Sequence, residues 1–177
     1  MAAKDRLSVL LAMMDQGVIP VFYDPDVEVC KNVIQACANG ARFVVGPLLN
    51  PDVAKVCNRR GIPYSPGCGS ASEIGFAQEL GCEIVKVFPG SSVGGPDFVK
   101  SVMAPMPWTR IMPTGGVEAT EQSLRQWFGA GIVACGIGSN LVTKKLLDAK
   151  DYAGIEQNVR TTVQLVKTIK ADLAAKQ

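Results

Sequence analysis

Short apolar runs alternate with longer amphipathic stretches along the chain, and the two periods separate cleanly. Residues 4–16 repeat apolar positions at Leu7, Leu10, Leu11 and Met14, one face of a helix. Residues 18–23 (VIPVFY) predict a strand, and Asp24-Pro25-Asp26 predicts a helix start with Asp24 or Asp26 as N-cap. That helix carries Val29, Val33, Ile34 and Cys37 and ends near Asn39-Gly40. The alternation then continues: strand 42–46, helix 51–60; strand 62–66, helix 71–80; strand 83–88, helix 95–103; strand 109–113, helix 120–128 with Thr120 as N-cap. A strand at 132–136, a short helix near 140–147 and a long helix at 152–174 complete the pattern.

Strands that are apolar on both faces and separated by helices imply parallel strands joined by right-handed βαβ crossovers. Pro and Gly cluster just after the strands, at Pro47, Pro66-Gly67, Pro89-Gly90 and Pro113 to Gly116. Functional loops of a β/α barrel lie there, beyond the strand C-termini. An open, doubly wound sheet fits the pattern too. No linker or low-complexity stretch divides residues 1–177, so one domain is expected.

Composition narrows the chemistry. Hydrophobic residues make up 47% of the 177 residues, enough for a large interior, and the formal net charge of +2 comes from scattered charges. No basic block suggests nucleic acid. The apolar run at 7–14 is too short to span a bilayer, so no membrane partner is expected. The six cysteines (Cys30, Cys37, Cys57, Cys68, Cys82 and Cys135) form no Cys-x-x-Cys pair and lie mostly within elements. That is the pattern of reduced, buried thiols in a cytoplasmic protein. Histidine is absent, which removes Ser-His-Asp and Cys-His nucleophiles and every His-ligated metal site. No metal or organic cofactor is called for; lysine, carboxylates, hydroxyls and backbone dipoles are left to act.

One lysine stands out. In the strand Cys82-Glu83-Ile84-Val85-Lys86-Val87-Phe88-Pro89, alternation puts Cys82, Ile84, Lys86 and Phe88 on one face and Glu83, Val85 and Val87 on the other. Burial among apolar neighbours disfavours the ammonium form and frees the amine to attack a ketone; snorkelling to solvent is the plainer account. Pro113-Thr114-Gly115-Gly116-Val117 and Gly136-Ile137-Gly138-Ser139-Asn140 follow the next two strands. Such glycines let backbone N–H groups close on an anion at a helix start, and terminal loops of β/α barrels often hold phosphate. Ser65-Pro66-Gly67-Cys68-Gly69-Ser70 is a further candidate lining. Asp24 is placed for acid/base work, although N-capping accounts for it more simply. Cys68 lacks a His partner and is not read as a nucleophile; Trp108 and Trp127 read as packing residues.

Together, KVFPGSSVGG around Lys86, PTGGV at 113–117, GIGSNL at 136–141, PGCGSASE at 66–73 and GPLLNPD at 46–52 resemble the 2-keto-3-deoxy-6-phosphogluconate (KDPG) and 4-hydroxy-2-oxoglutarate aldolases. The likeness runs from residue 41 to the C-terminus and includes the first strand and helix. It implies a β/α barrel, a homo-oligomer and cleavage to pyruvate through a lysine Schiff base. By the same resemblance Lys86 forms the imine, Phe88 packs beside it, Thr114 lies near the pyruvate moiety, and Gly115, Gly116, Gly138 and Ser139 hold the phosphate.

The chain departs from that family in length and in one motif. Six β/α units are counted where the family has eight. The family's Glu-x-Thr-x-Arg strand and the Gly-x-Gly-Thr strand after it do not occur; Cys37-Ala38-Asn39-Gly40 runs directly into Ala41-Arg42-Phe43-Val44-Val45-Gly46-Pro47. Such an in-frame loss could be natural or deliberate. The missing Glu is the family's acid/base group, and the missing Arg and Thr bind the pyruvate carboxylate. Two readings follow. One is an aldolase with reduced or lost cleavage. The other is a non-catalytic oligomer, structural or binding only phosphate or pyruvate, that keeps the motifs as relics.

Overall fold

The computed structural model describes residues 5–21 and 43–175 of the chain. The Asp24 helix start, the helix bearing Cys30 and Cys37, and the Gly40–Arg42 junction lie outside the described residues. Helix α1 (Arg6–Gln16) begins where the Asp5 carboxylate accepts the Ser8 N–H at 3.0 Å, and leads into β1 (Val18–Pro20). Then come β2 (Val44–Val45), α2 (Pro51–Arg60), β3 (Tyr64–Ser65), β4 (Gly67–Cys68), α3 (Ala71–Glu79), β5 (Val85–Val87) and α4 (Gly95–Met103). The chain closes with β6 (Ile111–Pro113), α5 (Glu121–Gly129), β7 (Cys135–Ile137), α6 (Lys144–Asp148) and α7 (Tyr152–Ala174). Side-chain oxygens of Asn50, Ser70, Thr120 and Thr143 cap α2, α3, α5 and α6, whereas α4 starts on Gly94 without a side-chain cap.

Among the described residues all strand pairs are parallel: β2 with β3, β4 with β5, β5 with β6, and β7 with β1. A bridge between Thr114 and Gly136 joins β6 to β7. The spatial order is therefore β2, β3/β4, β5, β6, β7, β1, six strand positions among the described residues. The expected third strand, 62–66, is instead two short pieces. Pairing with β2 ends at Ser65, and the ladder with β5 starts only at Gly67, because Pro66 faces β5 and has no N–H to give it. The Pro66 carbonyl still accepts the Lys86 N–H at 2.9 Å, and pairing resumes with β5. The expected strand 83–88 shortens to 85–87; Glu83 lies outside it and is bound to Arg6 at 2.6 Å.

Two apolar clusters divide the interior. The larger packs Val85, Val87, Ile111, Cys135 and Ile137 against helix residues such as Ile74, Val99, Leu124 and Ile155. The smaller joins Val9, Leu10 and Met13 of α1 to Ile84, Met112 and Ala134 on the opposite strand face. α1 thus plugs the inner face at the strands' N-terminal end, while the other helices pack outside. Cys82 belongs to the outer cluster, a correction to its expected place beside Lys86: it precedes β5, where strict alternation does not yet apply. Trp127 is buried, as expected of a packing residue, but Trp108 is 66% exposed in the turn before β6. Its aromatic bulk marked it for the core; tertiary position leaves it outside.

Candidate functional site

The inner strand face has layers, read from the register. Lys86 pairs with Gly67 on one side and Met112 on the other, and paired residues of parallel strands project to the same face. Ile84 lies one layer below, towards α1; Thr114 and Gly136, joined by their bridge, lie one layer above, at the mouth. Val85 and Val87 point outward to the helices, so alternation sends Lys86 inward.

Lys86 is only 7% exposed. Its Nζ stands 4.5 Å from the centroid of the Phe88 ring, and among the described residues no carboxylate comes within ion-pair distance. Burial pushes its pKa below the ordinary 10.5, because the ammonium loses hydration without gaining a counter-charge. The Phe88 ring face offsets only part of that loss. An amine so placed spends more of its time as the neutral nucleophile.

The mouth is built from the two glycine loops. Asn140 Nδ2 donates to the Val117 carbonyl at 3.4 Å, tying the loop after β7 to the loop after β6. Gly115, Gly116, Gly138 and Ser139 are thereby brought to one end of neighbouring strands, the end towards which Lys86 and Phe88 lead. Gly116 has a second, structural reason to be glycine. Its φ is +78°, and a Cβ there would stand 2.3 Å from the Ser91 Cβ. Ser91 N–H also donates to the Gly115 carbonyl at 3.0 Å, so the loop after β5 is seated on the Gly-Gly turn. Ser91 carried no sequence signal for this role, since the contact exists only once both loops are folded.

Among the described residues two buried hydroxyls, Ser65 Oγ and Thr114 Oγ1, have no hydrogen-bond partner. Such atoms are costly to bury and uncommon in folded proteins. Thr114 reaches its place because Gly136 has no side chain: a Cβ there would sit 2.4 Å from Thr114 Oγ1. Ser65 is 2% exposed and follows Tyr64, which packs outward and hydrogen-bonds the Leu48 carbonyl at 3.0 Å.

The thiols stay out of the chemistry. Burial pushes Cys68 and Cys135 up to about 12 and Cys82 up to about 11, so their thiolates are disfavoured. Cys68 is turned to the outer cluster, away from Lys86. An open cleft of about 470 Å³ lies on the helix side of Gly116, lined by Ser91, Gly94, Glu118, Ser123 and Trp127. It offers a carboxylate and no cation to an anion, and it is not the inner mouth. Among the described residues no helix is long and apolar enough to cross a membrane.

The chain is similar to known proteins. A family model for KDPG and KHG aldolases matches residues 26–158. The 2-dehydro-3-deoxy-phosphogluconate aldolase of Haemophilus influenzae is 36% identical over 138 residues, covering 77% of this chain and 64% of that protein. The same-named protein of Treponema pallidum is 36% identical over 133 residues, 75% of this chain and 62% of its own length. The chain thus spans a little under two thirds of these curated relatives. The crystal structure of 2-keto-3-deoxy-6-phospho-gluconate aldolase from Zymomonas mobilis superposes with a TM-score of 0.73 at 22% identity, covering 90% of this chain and 97% of that one. The Legionella pneumophila KDPG aldolase, crystallised with pyruvate captured as a covalent carbinolamine, gives 0.67 at 19% identity over 89% of this chain and 87% of that one. At those identities the two structures speak to the fold, which is that of the barrel aldolases.

Proposed function

Because the chain belongs to the KDPG and KHG aldolase family, we propose that it works as a lysine-dependent, class I aldolase on KDPG or 4-hydroxy-2-oxoglutarate, releasing pyruvate. The observation that carries this reading is Lys86: a buried amine with no described counter-charge, on the inner strand face beneath two adjoining glycine loops. Lys86 Nζ attacks the C2 carbonyl and water leaves, giving an iminium. That cation draws the electrons of the C3–C4 bond as it breaks, the C4 hydroxyl loses its proton and the aldehyde departs. The enamine left behind takes a proton at C3, and hydrolysis returns pyruvate and the free lysine. Phe88 and Thr114 flank the pyruvyl part. Gly115, Gly116, Gly138 and Ser139 receive the phosphate through backbone N–H groups and the Ser139 hydroxyl. Neither a metal nor an organic cofactor is needed for these steps.

The finer reading is a single barrel-derived domain over residues 1–177 with six β/α units in place of eight. The Glu-x-Thr-x-Arg strand that carries the family's acid/base group is absent from the sequence. Loss of an acid/base group typically costs about 10²–10⁴-fold in rate, so imine formation persists while cleavage is weak. We place the protein in the cytoplasm as a homo-oligomer, on the family's pattern and its buried thiols. The second reading, a non-catalytic remnant that binds phosphate or pyruvate, is favoured by the missing motif alone.

Borohydride reduction with pyruvate, followed by peptide mass mapping, tests the proposal. A reduced adduct on Lys86 is expected, and its absence removes the imine chemistry. An adduct without detectable KDPG cleavage selects the remnant.

A further inference from the structure

We infer that Ser65 is a substrate-contacting residue whose hydroxyl donates a hydrogen bond to the C1 carboxylate of a 2-oxo acid joined to Lys86. The inference rests on the aldolase reading and deepens it at a residue the resemblance does not assign.

Three observations lead there. First, Ser65 Oγ is buried and without a partner, an arrangement that disfavours the free protein and that an incoming acceptor relieves. Second, the register places it. Gly67 lies level with Lys86, so Ser65, two residues earlier, projects to the same inner face about 7 Å nearer the strands' N-terminal ends. Outward-facing Tyr64 and Cys68 fix that alternation on either side. Third, the substrate has a direction. C2 is held by Lys86, and the phosphate-bearing arm runs up past Thr114 to Gly115 and Gly116. The remaining substituent on C2, the carboxylate, is left to point away from the mouth, into the layer of Ser65 and Ile84. No arginine or lysine other than Lys86 is buried among the described residues. Among the described residues, then, the carboxylate has the iminium charge for Coulombic balance and a neutral hydroxyl as donor. Ser65 Oγ is covered in the free protein, and a turn about its single side-chain torsion, together with movement of the lysine stem, brings it to bear.

The test compares pyruvate with its neutral methyl ester, which offers the same ketone without the charge. Borohydride trapping at Lys86 is titrated with each compound in the parent chain, S65A and S65T. S65A is expected to raise the half-saturating pyruvate concentration about ten-fold or more, to leave methyl pyruvate within about two-fold, and to be rescued by S65T. Alanine removes an unsatisfied oxygen, so S65A should melt no lower than the parent. Equal shifts for both compounds would make Ser65 a merely structural residue and overturn the inference, as would unchanged pyruvate trapping in S65A. Absence of an adduct in the parent chain with either compound defeats the imine reading itself, and the inference with it.

Discussion

At the scale of single residues, the chemistry concentrates on a lysine that pays for its burial in protonation. The folded-state pKa of Lys86 lies below the ordinary 10.5, so between the two values the folded chain binds fewer protons than the unfolded one. Stability contributed by this residue therefore rises with pH through that interval and is lowest below it. K86M should be more stable than the parent at pH 7, with the difference narrowing as pH approaches 10.5; urea melts at both pH values check this. The same depression predicts that the rate of pyruvate trapping climbs with pH to a plateau with its midpoint below 10.5, since only the neutral amine attacks. A midpoint at 10.5 or above would place Lys86 in solvent. The lysine's inward direction was legible from alternation with Val85 and Val87. Its lack of a nearby counter-charge was not, because that depends on which groups the other strands bring to the same layer.

At the scale of elements, the helices followed local chemistry closely. Residues 51–60, 95–103 and 152–174 are helical as the periodicity implied, and Thr120 caps α5. Caps and apolar spacing act within one or two turns, so the sequence carries them. Strands were less legible. Ladder hydrogen bonds come from partners distant in the chain, and Pro66 and Glu83 shortened two strands for reasons visible only with those partners in place. The glycine turns separate local from long-range causes in a measurable way. G116A places a Cβ against Ser91 at a positive φ and should cost about 1–3 kcal/mol in urea unfolding. G75A, inside α3 with open space around it, should instead stabilise by roughly 0.5–1 kcal/mol. Equal effects would mean that the Ser91 loop does not rest on Gly116.

At the scale of the whole molecule, the strand run has two ends, β1 and β2, each paired on one side only among the described residues. Val44 and Val45 of β2 are 37% and 41% exposed, unusual for strand valines in a barrel fold. Open parallel edges recruit other chains. We expect light scattering to find a homo-oligomer, and V44K/V45K, which places charges on that edge, to shift it towards monomer without loss of helical signal. A stable monomer in the parent chain would argue against the edge as a contact.

By itself the sequence determined the α/β alternation, the boundaries of the described helices except the short one, expected near 140–147 and found at Lys144–Asp148, the candidate lysine and the two glycine loops, because propensity, capping and side-chain alternation act over a few residues. It also carried the family likeness, which the family model and the curated relatives bear out. Only the tertiary structure decided that Thr114 and Gly136 meet, that Ser91 rests on Gly116, that Trp108 lies outside and that Ser65 is buried without a partner. Each of those depends on strand register and loop contact between segments far apart in the chain, and a local pattern holds no record of either.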